Sequence, residues 1–180
     1  MNIKKFSAKH STLVIIDLQD RLMPAIEHGD EVLKQCIRIG KIAKLLMVPI
    51  IGTEQSPHSI GHNASEIIEL CQTTIIKNHF SACRDDLITT IPKDRMQVIL
   101  AGCESHVCVM QTALDLLRNQ YDVAVLVDAV GSRKPLDKDT SLHRLSSSGV
   151  TILTVETLAF EWLESAENPY FKQALELIKG

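Results

Sequence analysis

The sequence predicts an α/β fold built on a parallel sheet. Three observations carry this. Six short apolar, β-branched runs alternate with segments whose apolar residues recur every three or four positions. That is the pattern of strands alternating with helices. The first run, Thr12-Leu13-Val14-Ile15-Ile16, is continuous rather than alternating, as expected of a strand covered on both faces. No repeat, low-complexity tract or linker interrupts the pattern, so one domain over 1–180 is expected.

Composition narrows the class. Hydrophobic residues make up 45% and charged residues 23% of the chain, as in soluble globular proteins. A net charge of -3 gives no reason to expect a nucleic-acid partner. No stretch approaches the ~20 apolar residues that span a bilayer. The opening Met1-Asn2-Ile3-Lys4-Lys5 is not followed by the apolar run of a secretory signal. Cys36, Cys71, Cys83, Cys103 and Cys108 are scattered, with no C-x-x-C pair. That argues against a disulfide framework and a structural zinc site, and for a reducing cytoplasm.

The elements follow in order. The first strand ends at Asp17. A loop or short turn over 23–29 precedes Asp30, a candidate N-cap, with Glu31 in the first turn. Val32, Cys36, Ile39, Ala43 and Leu46 then form one helix face. Val48-Pro49-Ile50-Ile51 is the second strand, running into Gly52-Thr53-Glu54-Gln55. The loop after it holds His58 and His62, expected to face solvent, since no third ligand stands beside them. A short helix spans 64–70. Thr73-Thr74-Ile75-Ile76 is the third strand, ending at Lys77-Asn78-His79-Phe80-Ser81. A helix over 85–91 stops at Pro92.

The fourth strand, over 97–101, enters Gly102-Cys103-Glu104-Ser105-His106-Val107-Cys108-Val109. Val109, Ala113, Leu116 and Leu117 continue as a helix. With Ser105 as N-cap, Cys108 falls in the first helical turn, where free N–H groups and the helix dipole favour a thiolate. The fifth strand covers 122–127 and is followed by a helix from Asp137 or Asp139 that Gly149 terminates. A sixth strand over 150–154, a helix over 157–164 and a last helix opened by Asn168-Pro169 complete the chain.

Chemistry gathers at the strand ends. Taken singly, Asp17 reads as a turn cap, Lys77 as a surface cation and Cys108 as a buried thiol. Together they lie at or just past the carboxyl ends of three strands, the edge where open parallel sheets bind ligands. That convergence favours catalysis.

The blocks Ile15-Ile16-Asp17-Leu18-Gln19-Asp20, Lys77-Asn78-His79-Phe80-Ser81 and Gly102-Cys103-Glu104-Ser105-His106-Val107-Cys108-Val109 resemble the isochorismatase-like cysteine hydrolases, in that family's order. Thr53-Glu54-Gln55 and Leu158-Ala159-Phe160-Glu161-Trp162-Leu163 resemble its small, largely uncharacterised branch. The resemblance implies a three-layer, Rossmann-like fold with a six-stranded parallel sheet of order 3-2-1-4-5-6. It implies a triad of Asp17, Lys77 and Cys108, a cis peptide between Cys103 and Glu104, and an oxyanion hole from the N–H groups of Glu104 and Cys108. The metal-binding members carry Asp-x-His where this chain has Thr53-Glu54-Gln55, so no metal and no cofactor are expected.

The implied activity is hydrolysis of a C–N bond in a small amide, carbamoyl or ureido compound through a thioester. Proximity makes Gln19, Gln55, Phe80 and His106 substrate-binding candidates. Two other readings stand beside it. One is a non-catalytic scaffold, which has no need of all three triad residues. The other is a thiol redox protein using Cys103 and Cys108, whose spacing matches no redox motif. The apolar stripe of the last helix and an expected outward Trp162 lead to the expectation of a homo-oligomer, with no membrane partner.

Overall fold

The computed structural model describes residues 5–180. Residues 1–4, read above for a secretory signal, lie outside the described residues. The strands are β1 (Ser11–Ile16), β2 (Ile50–Gln55), β3 (Thr73–Lys77), β4 (Gln97–Cys103), β5 (Asp122–Gly131) and β6 (Thr151–Leu153). They form one six-stranded sheet of order β3-β2-β1-β4-β5-β6, and every pairing is parallel. The helices are α1 (Gly29–Leu45), α2 (Pro57–Ile60), α3 (Ser65–Leu70), α4 (Leu87–Thr90), α5 (Met110–Arg118), α6 (Pro135–Ser147), α7 (Val155–Leu163) and α8 (Phe171–Lys179). No helix among the described residues is long and apolar enough to cross a membrane.

Side chains alternate across each strand and so feed two cores. Leu13 and Ile15 of β1, Ile99, Ala101 and Cys103 of β4, and Ala124 and Leu126 of β5 meet α1, α3, α7 and α8 on one face. Val14 and Ile16, Val98 and Leu100, and Val123 and Val125 meet α4, α5 and α6 on the other. β1 is buried along its whole length. This accounts for its unbroken apolar run.

Several boundaries move. β2 runs on to Gln55 because parallel pairing continues on both sides, with Ile16 opposite Thr53 and Gln55 opposite Lys77. α1 starts after His28, whose left-handed φ of 51° turns the chain, so Asp30 sits inside the first turn rather than capping it. α6 starts at Pro135, ahead of Asp137. α8 starts after Tyr170. Asn168 instead holds the α7–α8 connection, accepting from Tyr170 N at 2.9 Å and donating to Leu163 O at 3.0 Å.

Trp162 faces inward, only 3% exposed, and its Nε1 donates to Ser11 Oγ at 3.1 Å. Of the expected α8 stripe, Phe171, Leu175 and Ile178, Phe171 and Ile178 pack against the first core, joined there by Leu177. Trp162 and these two stripe residues are therefore used inside the chain.

Gly102 sets the approach of β4 to β1. Its φ is 108°, and a Cβ there would lie 2.0 Å from Ile16 O and 2.7 Å from Ile16 N. Both contacts are backbone and cannot swing aside. Gly102→Ala is expected to destabilise the protein by about 2–4 kcal/mol, from left-handed strain plus overpacking. Denaturant unfolding measures this, and a loss below ~1 kcal/mol would contradict the close approach.

Cys36 and Cys103 are wholly buried. Desolvation pushes the Cys103 thiol up to about 12 and the Cys36 thiol well above its ordinary value. Both thiols stay neutral in the fold at a pH where the unfolded chain ionises. Folding stability from this source is complete below about pH 9 and falls above it, by ~1.4 kcal/mol per pH unit per thiol. Urea midpoints measured from pH 8 to 11 should fall accordingly, and Cys103→Ala should flatten the decline.

Candidate active site

Three strand ends bring the site together. β1 gives way to Asp17, which has a left-handed φ of 50°. Asp tolerates that region better than most residues. The turn carries the carboxylate over the sheet edge towards β2, where Asp17 Oδ1 accepts from Thr53 Oγ1 at 2.6 Å. Lys77 closes β3, on the far side of β2, and its ammonium reaches Asp17 Oδ2 at 2.7 Å. Both side chains are buried, at 0% and 1% exposure.

Cys108 arrives from the other side. β4 ends at Cys103, and the Cys103–Glu104 peptide is cis. Ser105–Val109 forms a single π-helical turn ahead of α5. Glu104, not Ser105, occupies the capping position, and no side chain caps the turn. Glu104 Oε2 instead accepts from Arg133 N at 3.1 Å and Nε at 3.0 Å, which ties the turn to the end of β5. Cys108 Sγ then stands 3.4 Å from Lys77 Nζ.

The ammonium is thus a hub. It touches Asp17 and Cys108, donates to Gln55 Oε1 at 2.7 Å, and lies 3.5 Å from His79 O. The resting thiol is not the thiolate that its place in the turn suggests. Burial pushes Cys108 up to about 12, and the Asp17 carboxylate adds to the rise more than Lys77 offsets it. A neutral thiol beside a carboxylate and an ammonium can pass its proton to the carboxylate as it attacks, rather than waiting as a free thiolate.

The remaining candidates fall in different places. Gln19 is fully buried. Its Oε1 accepts from Gln55 N at 2.8 Å, and its Nε2 donates to Gln55 O at 3.1 Å and to Gly61 O. Its amide therefore braces the end of β2. The amide of Gln55 is committed to Lys77, Asn78 O and Ser56 Oγ. Phe80 is 53% exposed beside the Lys77 strand end. His106 turns away from Cys108, with Nδ1 3.0 Å from Ser132 Oγ, which also hydrogen-bonds Ser105 Oγ.

Cys103 and Cys108 do not form a pair, because Cys103 belongs to the core on one face of the sheet and Cys108 to the core on the other. Among the described residues, no group of three or more His, Cys, Asp or Glu side chains is placed to hold a metal ion. His58 lies on the short helix α2. His62 has a carboxylate partner that sequence proximity did not reveal, its Nδ1 lying 3.0 Å from Oε2 of the buried Glu54. Thr53 was also missed as a partner of Asp17. Its position opposite Ile16, one residue before the acid, is the signal that finds it once the register is known.

Comparison with known proteins agrees with this architecture. The isochorismatase domain family matches residues 11–157. Isochorismatase family protein 1A of Dictyostelium discoideum is 35% identical, over 98% of this chain and 89% of its own length. Isochorismatase domain-containing protein 2A of Mus musculus is 34% identical, over 94% of this chain and 82% of its own. The solved structure of MAR1 ribonuclease from Caenorhabditis elegans superposes with a TM-score of 0.93 at 32% identity, covering 98% of this chain and 93% of that one. That neighbour overturns the expectation of no nucleic-acid partner, which rested on a net charge of -3. Net charge averages over all faces and does not decide what one edge can bind. The family match and the Dictyostelium and mouse relatives together show that the chain belongs to the isochorismatase family, within the isochorismatase-like hydrolase superfamily.

Proposed function

We propose that the protein hydrolyses a C–N bond of a small amide, carbamoyl or ureido compound, with Cys108 as nucleophile. The observation that carries this reading is the buried Lys77 ammonium, 2.7 Å from Asp17 Oδ2 and 3.4 Å from Cys108 Sγ. In the proposed reaction Asp17 takes the thiol proton as Sγ attacks the carbonyl carbon. Lys77 stabilises the negative charge as it moves from carboxylate to sulfur. The N–H groups of Glu104 and Cys108 receive the oxyanion, each such donor lowering the barrier by about 3–4 kcal/mol. Protonated Asp17 then gives its proton to the leaving nitrogen as the C–N bond breaks. Water hydrolyses the thioester with Asp17 again as base, which restores the thiol. Five unpaired thiols support a cytoplasmic setting.

RNA cleavage is a second reading, favoured by the name of the Caenorhabditis elegans structure at 32% identity. Turnover on a panel of small amides, carbamoyl compounds and ureides, run beside single-stranded RNA, separates the two. On whichever amide is hydrolysed, Cys108→Ala should lower kcat by about four orders of magnitude or more while the protein stays folded. Asp17→Asn should be nearly as damaging, since an amide neither accepts the thiol proton nor returns it. Limiting iodoacetamide with peptide mapping should label Cys108 first of the five thiols. RNA cleavage that Cys108→Ala abolishes, with every amide untouched, would replace the amidase reading. Full amide turnover by Cys108→Ala would end the triad assignment.

A further inference from the structure

Strand order creates a geometric problem at this site. Asp17 follows β1 and Lys77 ends β3, with β2 between them. Neighbouring strands lie about 4.8 Å apart, so β1 and β3 are separated by roughly 10 Å, and the Lys77 and Asp17 side chains reach towards each other across the end of β2 to meet. Thr53 and Gln55 are two residues apart on β2 and share one face of it. Each holds one member of the pair. Thr53 Oγ1 donates to Asp17 Oδ1 at 2.6 Å, and Gln55 Oε1 accepts from Lys77 Nζ at 2.7 Å. The Gln55 amide is oriented in turn, because its Nε2 donates to Asn78 O at 3.0 Å. Thr53 is fully buried, so no bulk water competes for the carboxylate oxygen it serves.

We propose that Thr53 and Gln55 are positioning residues, the first holding Asp17 as an aimed carboxylate and the second holding the Lys77 ammonium over β2. The inference rests on the triad reading above. The titratable groups beside Asp17 are Lys77 from β3 and Cys108 from the π-helical turn, while Cys103 of β4, buried in the opposite core, feels only its charge. Thr53 adds a neutral donor to that set. A donor fixed on Oδ1 holds the carboxylate in one orientation, so removing the hydroxyl frees Asp17 to turn away from Lys77 and Cys108. A carboxylate that is no longer aimed serves Cys108 poorly as proton acceptor.

The test follows the rate of Cys108 alkylation by iodoacetamide against pH, read by peptide mapping, and needs no substrate. Thr53→Val keeps the shape and removes the donor. It should slow Cys108 alkylation at neutral pH by about tenfold. Thr53→Ser, which keeps the hydroxyl, should return the rate to the wild-type value. Loss of packing alone would not restore it in this way. Should Thr53→Val not fold, Thr53→Ala is read in its place. Gln55→Met should slow alkylation at neutral pH severalfold by loosening Lys77. Asp17→Asn is the reference. If Asp17→Asn displaces the profile and the Thr53 and Gln55 variants superpose on wild type, the positioning inference fails and the triad stands. If Asp17→Asn itself superposes on wild type, the triad reading fails.

Discussion

A fully buried ammonium organises this protein. Lys77 ends a sheet strand with its charge out of reach of water, and an unpaired charge there would cost several kcal/mol. Its neighbours are therefore constrained. Asp17 supplies the countercharge, Gln55 Oε1 a neutral acceptor, and Cys108 Sγ closes the side facing β4. The order β3-β2-β1-β4 places these groups in sequence along one edge. The left-handed turn at Asp17 and the close approach at Gly102 then set how near the carboxylate and the cysteine turn can come.

Charge balance at the site explains why its cysteine rests as a thiol. One carboxylate and one ammonium already neutralise each other, so a thiolate would add an uncompensated charge to a dry environment. Burial and Asp17 accordingly hold the proton on sulfur. In the proposed chemistry the proton leaves only as the carbonyl carbon is attacked, so the negative charge passes from the carboxylate to the substrate oxyanion and the net charge of triad and substrate together does not change. The same thiol would be a poor redox partner for Cys103, which faces the opposite core.

The sequence showed the skeleton more fully than the joints. Continuous apolar runs such as Thr12-Leu13-Val14-Ile15-Ile16 mark doubly covered strands, and their carboxyl ends locate Asp17, Lys77 and Cys108 without any contact being known. The sheet order came from family resemblance, because alternation of strands and helices is compatible with many orders. What stayed hidden depends on register and on competition between local and tertiary partners. In the sequence Thr53 stands out only as a departure from a metal-binding pattern, and its bond to Asp17 exists only because Ile16 lies opposite it. Gln19 looked like a pocket residue, yet its amide is used on the backbone of Gln55 and Gly61. Ser105 and Asn168 have capping chemistry, but Ser132 and the α7–α8 turn claim their side chains. Trp162 looked outward on its own helix and is covered by contacts distant in sequence.

The buried pair is tested most directly by a double-mutant cycle on stability. Lys77→Met, Asp17→Asn and the double variant are unfolded in denaturant beside the wild type. Removing one partner leaves a buried charge uncompensated, and each single variant should lose ~3–5 kcal/mol. The double variant leaves no such charge and should lose clearly less than the sum of the two singles. Additive losses would contradict the account, since they would mean that the Lys77 ammonium and the Asp17 carboxylate do not depend on each other.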